Sequence, residues 1–128
     1  MIVLSEDKIA RISAGSVVAC AWFRHYGGSA VDAHVTTEPG GVSLDWMSLV
    51  AHYVFIQLEV DKLVVWVREG EPTEILTRLG FTKEGSVSDM YGDKPANIMT
   101  TTNKNELVRR LVKRVPNEAN RVWVTVAS

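Results

Sequence analysis

The stretch Lys62–Gly85, KLVVWVREGEPTEILTRLGFTKEG, decides the fold. The apolar, β-branched run from Lys62 to Arg68 predicts a strand, and its near-continuous LVVWV predicts one whose two faces are both covered by helices. An acidic loop follows. Glu71-Pro72 suits a helix start, because proline lacks only a donor that the first turn leaves unused. The short helix closes through LTRLG on Gly80, a residue free to turn left-handed, and Phe81 then anchors a second strand. A strand-helix-strand unit results, and the rest of a mixed sheet has to fit around it.

Working back from that unit, Leu44 to Leu58 carries Met47, Val50, Val54 and Leu58 at three- and four-residue spacing, the stripe of a core-facing helix. Ser43 is placed to cap it. Ala30 to Thr37 alternates, with Val31, Ala33 and Val35 on one face and Asp32, His34 and Thr36 on the other. Gly27-Gly28-Ser29 reads as the hairpin turn joining it to a strand from Ser16 to Tyr26. Met1 to Leu4 is expected as a short edge strand, after which Ser5 caps a brief helix that Gly15 ends. Working forward, Phe81 to Asp89 and Ala96 to Thr102 are expected as an antiparallel pair turning through Tyr91 to Pro95. Asn105 or its neighbour caps a helix from Glu106 to Arg114, Val115-Pro116-Asn117 stops it, and Val122 to Val126 is a last strand that needs a sheet edge.

At 128 residues the chain is expected to form a single domain with a substantial core. Its 46% hydrophobic and 23% charged residues are those of a soluble globular protein. A formal net charge of −1 gives no global pull toward nucleic acid or a membrane surface. The single cysteine, Cys20, lies in the apolar run VVACAWF and is expected as a small buried hydrophobe in a reducing compartment. No window approaches a membrane span, and MIVLSEDK does not resemble a secretory leader, so a cytoplasmic protein is expected.

Asp32 and His34 are two titratable groups on one strand face, and His34 is suited to proton transfer near neutral pH. The turn Glu38-Pro39-Gly40-Gly41-Val42-Ser43 enters a helix. Free backbone amides and the helix dipole make such a turn suitable for a pyrophosphate. Glu38 and Asp45 put two carboxylates beside it, an opposing effect of order one kcal/mol each when partly screened. Arg109, Arg110, Lys113 and Arg114 gather at the end of the last helix, a cationic flank for a partner carrying phosphates or carboxylates. No metal site is expected.

From about Ala30 to Thr102 the chain resembles the GNAT superfamily of N-acetyltransferases, especially small GNAT-fold proteins of tailed phages. HYVFIQLEVDKLVVWV, RLGFTKEGSVSDMYGD and ANIMT carry the resemblance. It implies a twisted mixed α+β sheet flanked by helices, with a shortened region before Ser16 that leaves the acceptor site open or completed by another subunit. It implies acetyl-CoA as donor and an amine as acceptor, the coenzyme held by Val35, Thr37, Gly40, Gly41, Val42 and Ser43 between strands that part near Thr37 and Arg68. Asp32 or His34 would act as base. Glu38 stands where the family carries Gln or Arg. Leu76 stands where it carries the tyrosine that protonates the departing thiolate, and Tyr91, at an expected hairpin tip, is a poor replacement. The alternative is a GNAT-fold protein without activity, serving as a binding or assembly component, for instance of a phage virion, and associating through the terminal strand or basic helix.

Overall fold

The computed structural model describes residues 2–5, 7–25, 29–71, 73–92, 94–114 and 121–123. They form one mixed sheet of eight strands: β1 (Ile2–Leu4), β2 (Lys8–Ser13), β3 (Ser16–His25), β4 (Ala30–Thr37), β5 (Lys62–Arg68), β6 (Thr82–Tyr91), β7 (Lys94–Thr102) and β8 (Arg121–Trp123). The spatial order is β6-β7-β5-β4-β3-β2-β1-β8. Three helices accompany it, α1 (Leu44–His52), α2 (Glu74–Arg78) and α3 (Glu106–Lys113). This is the expected α+β architecture. None of these helices is long and apolar enough to cross a membrane.

β4 and β5 are parallel, so the chain between them must cross over the sheet, and α1 is that crossover. Val31, Ala33 and Val35 of β4 and Leu63, Val65 and Val67 of β5 are all buried, and they meet Trp46, Met47 and Val50 of α1 and Leu76 of α2. α3 lies against α1, where the Ser48 hydroxyl donates to the Leu111 carbonyl at 2.7 Å and Val108 and Leu111 are buried. Helix α1 is therefore enclosed on nearly all sides. The helices share one face of the sheet, which corrects the reading of LVVWV as covered on both faces: Val64 and Trp66, on the other face of β5, remain half-buried.

The end of α2 is as its sequence predicts. Gly80 has φ +84°, Phe81 N–H donates to Leu76 O at 3.0 Å, Gly80 N–H donates to Thr77 O at 3.0 Å, and Leu76 and Phe81 are both buried. Thr73 takes the N-cap position; Pro72 lies outside the described residues. Asn105 caps α3 by accepting from Leu107 N–H at 3.0 Å, and its amide group donates to Leu79 O at 2.8 Å, tying the two helix ends together.

Four expectations need correction. The brief helix after Ser5 is β2, because Ser5 N–H bonds Lys8 O as a tight turn and Ala14-Gly15, with φ 51° and 80°, is the two-residue turn of a β2–β3 hairpin instead of a helix stop. β1 is not an edge strand, since β8 pairs with it in parallel. The helix from Leu44 is α-helical only to His52 and continues as a π-helical turn, Tyr53–Gln57, with Leu58 N–H donating to Tyr53 O at 2.9 Å. The wider turn keeps Val54 in the core, sets Tyr53 against Phe23 with ring centroids 4.8 Å apart and leaves Ile56 exposed. The β6–β7 turn is tighter than expected, both strands running close to Gly92. Residues 26–28, 115–120 and 124–126, which bear on the first hairpin turn, the stop after α3 and most of the terminal strand, lie outside the described residues. Cys20 is buried, and burial raises its thiol pKa, as suits an inert core residue.

Trp46 is 1% exposed, and its indole N–H donates to Ile9 O at 2.9 Å, fastening the β1–β2 hairpin onto α1. Trp46→Phe is expected to lower the unfolding free energy by about 1–3 kcal/mol, measured as a lower urea midpoint at unchanged slope.

Candidate active site

The parallel ladder between β4 and β5 runs from Ala30↔Lys62 to Val35↔Val67 and then stops. Each strand continues with its outer neighbour, Thr36↔Cys20 and Thr37↔Ala19 on one side and Arg68↔Ala96 on the other. A fork therefore opens between residues 35–37 and 67–68. Past its apex the Thr37 amide has no carbonyl of β5 to bond, and the Glu71 carboxylate takes that bond at 3.2 Å. Gly70, with φ +93°, lets the chain double back so that Glu71 faces the fork. At this mouth lies a cavity of about 210 Å³ lined by Val17, Val18, Ala19, Thr36, Thr37, Glu38 and Glu71. Burial raises the Glu71 pKa, while the Thr37 hydrogen bond and nearby Arg68 oppose that shift.

Of the residues expected to hold a coenzyme, Val35 and Thr37 are buried on the helix-side face at the fork. Gly40, Gly41, Val42 and Ser43 lead to the head of α1. Gly41 is pressed so closely on Val18 O that a Cβ there would collide with it, and Arg11 donates to Gly41 O at 2.7 Å. Glu38 N–H and Gly41 N–H are both taken, the first by Val18 O of β3 and the second by Glu38 O within the turn. The amides of Val42, Ser43 and Leu44 have no hydrogen-bond partner among the described residues, while the Ser43 hydroxyl accepts from Trp46 N–H at 3.1 Å. Asp45 pairs with Arg114 at 3.4 Å, which offsets part of its charge at the helix head.

Asp32 and His34 lie on the opposite face of β4, the face that no described helix covers. They share a partner that the sequence reading passed over. Trp66 on β5 donates its indole N–H to Asp32 Oδ2 at 3.1 Å, and its ring stacks on His34 with centroids 5.9 Å apart and planes 18° from parallel. His34 also lines a cavity of about 370 Å³ with Asp7, Trp22, Phe23 and Arg24. Burial and then Arg24 lower the His34 pKa, and Asp32 only partly offsets this, so the imidazole is neutral at pH 7 and able to accept a proton. Leu76, 4% exposed in the seam under the fork, has no proton to give. Glu71 and Trp66 are the residues that sequence reasoning missed. The only signal for Trp66 was the in-register pairing of parallel strands, and Glu71 carried none beyond following β5 by three positions.

No family model matches the chain, and no curated protein matches it. Solved structures do match, and the fold they share with it is that of the GNAT N-acetyltransferases. Among them is the N-terminal domain of a ribosomal-protein-alanine acetyltransferase from Clostridium acetobutylicum, with a TM-score of 0.65 and 16% identity over 78% of this chain and 86% of that one. The spermidine/spermine N-acetyltransferase SpeG from Vibrio cholerae gives 0.57 and 15% over 80% and 69%. RimJ from Mycobacterium smegmatis, in complex with CoA-disulfide, gives 0.56 and 14% over 83% and 58%. Identities this low establish likeness of fold alone.

The environment of His34 predicts its titration. Its proton resonances should give a midpoint below 6.5, and Arg24→Gln should raise that midpoint. Because the native imidazole takes its proton at lower pH than the unfolded one, the stability tied to this group is complete above pH 6.5 and is lost as pH falls through the native value. NMR titration of the two proteins checks both statements.

Proposed function

We propose that the chain is an acyl-CoA-dependent N-acyltransferase, a cytoplasmic enzyme taking acetyl-CoA as donor and an amine as acceptor. One observation carries the reading: β4 and β5 part after Val35 and Val67, leaving a main-chain donor, Thr37 N–H, at the mouth of the fork. The acetyltransferases that share the fold, one of them solved with a coenzyme A derivative, support it. The coenzyme supplies an activated thioester carbonyl to the amine.

The chain's own residues supply the rest. Thr37 N–H polarises a carbonyl oxygen set in the fork, and the amides of Val42, Ser43 and Leu44 at the positive end of α1 take phosphate oxygens. Gly40 and Gly41 shape the turn that brings that helix end forward. Glu38 opposes phosphate binding by its charge, so the affinity expected is modest. His34 accepts the amine proton. Thr36, two residues on along the same face and therefore about 6.6 Å away, lies at the fork, so the transfer passes through a bridging water. Asp32, with one oxygen bonded to Trp66, acts on His34 through that ring and is a positioning residue. Leu76 gives no acid, so the departing thiolate takes its proton from protonated His34 or from water. The uncovered sheet face admits the acceptor, and a second subunit docked through the terminal strand or the basic flank of α3 would complete its enclosure.

Saturating acetyl-CoA is expected to raise the melting temperature, the stabilisation reaching about 2.7 kcal/mol at 100 times Kd. No shift at millimolar coenzyme would leave the chain a non-catalytic binding or assembly module of the same fold. With binding established, His34→Ala should lower kcat by about 10²–10⁴ while keeping the melting shift, and Asp32→Ala should cost less than His34→Ala. Equal rates for wild type and His34→Ala would remove the histidine from the reaction.

A further inference from the structure

We propose, resting on the acyltransferase reading, that Glu71 determines which acyl groups the fork accepts: it is an internal ligand of the Thr37 amide that an uncharged acyl carbonyl can displace and an acyl group bearing a carboxylate cannot. The geometry starts from an obligation. A backbone N–H buried at a strand end needs an acceptor, and the parting of the strands removes the one that a continuing ladder would provide. Glu71 reaches 34 positions back along the chain to fill that need, bonding Thr37 N–H at 3.2 Å, and the turn carrying it is held by Glu71 N–H on Arg68 O at 3.1 Å. The amide is thus satisfied in the free protein by a side chain, which can rotate away, and not by a fixed strand.

Charge then sets selectivity. The cavity at the fork is lined by two carboxylates, Glu71 and Glu38, two threonines and apolar residues, with no cationic side chain among its lining. Arg68, on the strand end below Glu71, Lys94, whose ammonium lies near Gly70, and Arg11 of β2, which donates to the Gly40 and Gly41 carbonyls, are cations on neighbouring elements that stand outside this lining. A neutral acyl oxygen that takes the Thr37 amide leaves Glu71 to turn toward solvent and Arg68. A succinyl or malonyl group would bring a third negative charge into a cavity that already holds two. The raised pKa of Glu71 fits a carboxylate that is held there at some cost, and its protonation weakens it as an acceptor and frees the amide.

A ligand that needs the Thr37 amide binds in proportion to the fraction of molecules in which Glu71 has released it. Isothermal titration of acetyl-CoA and succinyl-CoA into wild type and Glu71→Gln tests this, with Glu71→Ala as a second variant should the glutamine form fold poorly. At pH 7.5 Glu71→Gln should bind acetyl-CoA at least about threefold more tightly, because the neutral amide is a weaker competitor for the Thr37 donor. The preference for acetyl-CoA over succinyl-CoA should fall by at least about threefold in the same variant. As pH is lowered the ratio of the two proteins' affinities for acetyl-CoA should shrink toward one. That ratio is the readout, because the phosphates of the coenzyme titrate equally in both experiments. Equal affinities and equal acyl preference in wild type and variant would overturn the proposal and leave the acyltransferase reading intact, as would weaker acetyl-CoA binding by the variant. Failure of both proteins to bind either thioester would overturn the acyltransferase reading and this inference with it.

Discussion

Parallel strands satisfy one another's backbone only while they run side by side, and where they part each amide must find another acceptor. In this chain β4 and β5 run together for six pairs and then separate. The constraint behind this lies at both ends. Below, Asp61 and Lys62 both donate their amides to Ser29 O and fix the register from which the strands start. Above, β4 is held by β3 and β5 by β7, and these outer partners draw the two apart. The fork, the cavity at its mouth and the Thr37 amide that turns to the Glu71 side chain are consequences of that divided loyalty.

The same geometry sorts the site by face. Side chains at Val35 and Thr37 point toward the helices, where a coenzyme would be received, while Asp32 and His34 point away toward the uncovered face. Alternation along a single strand thus gives a helix-covered side and a side that no described helix covers, and under the proposed reading these would receive the acyl donor and the acceptor. The stacking of His34 on Trp66, with Asp32 holding the indole, crosses the β4–β5 ladder just before it ends, so the orientation of the imidazole depends on both strands that form the fork.

Much of this was legible in the sequence because it is local. Residues 30–37 and 62–68 have strand boundaries that their composition and alternation gave directly, and the Gly80-Phe81 helix stop is a short-range motif whose hydrogen bonds follow from residue type. What was not legible depends on partners distant in the chain. Ala14-Gly15 looks the same as a helix stop and as a hairpin turn until β3 is present to pair with β2. The π-helical turn at Tyr53 is set by the fit of Val54 and Tyr53 against the sheet, which helical spacing does not encode. Trp66 read as one more apolar strand residue, and Glu71 as part of an acidic loop. Each gained its place only when a register or a turn brought it against β4, 34 positions earlier.

The pairing of β1 with β8 joins Ile2 to Arg121 and Leu4 to Trp123, so the first described strand and the last are neighbours. The β2–β3 and β6–β7 hairpins can zip from contacts close in sequence, whereas β1 pairs with a strand far along the chain, so that margin is among the later ones to close. The closing strand then acts as a clasp over the main-chain groups of β1 and becomes the sheet's edge in its place, three residues long among those described. Its loss would bare the margin of β1 for pairing with another chain.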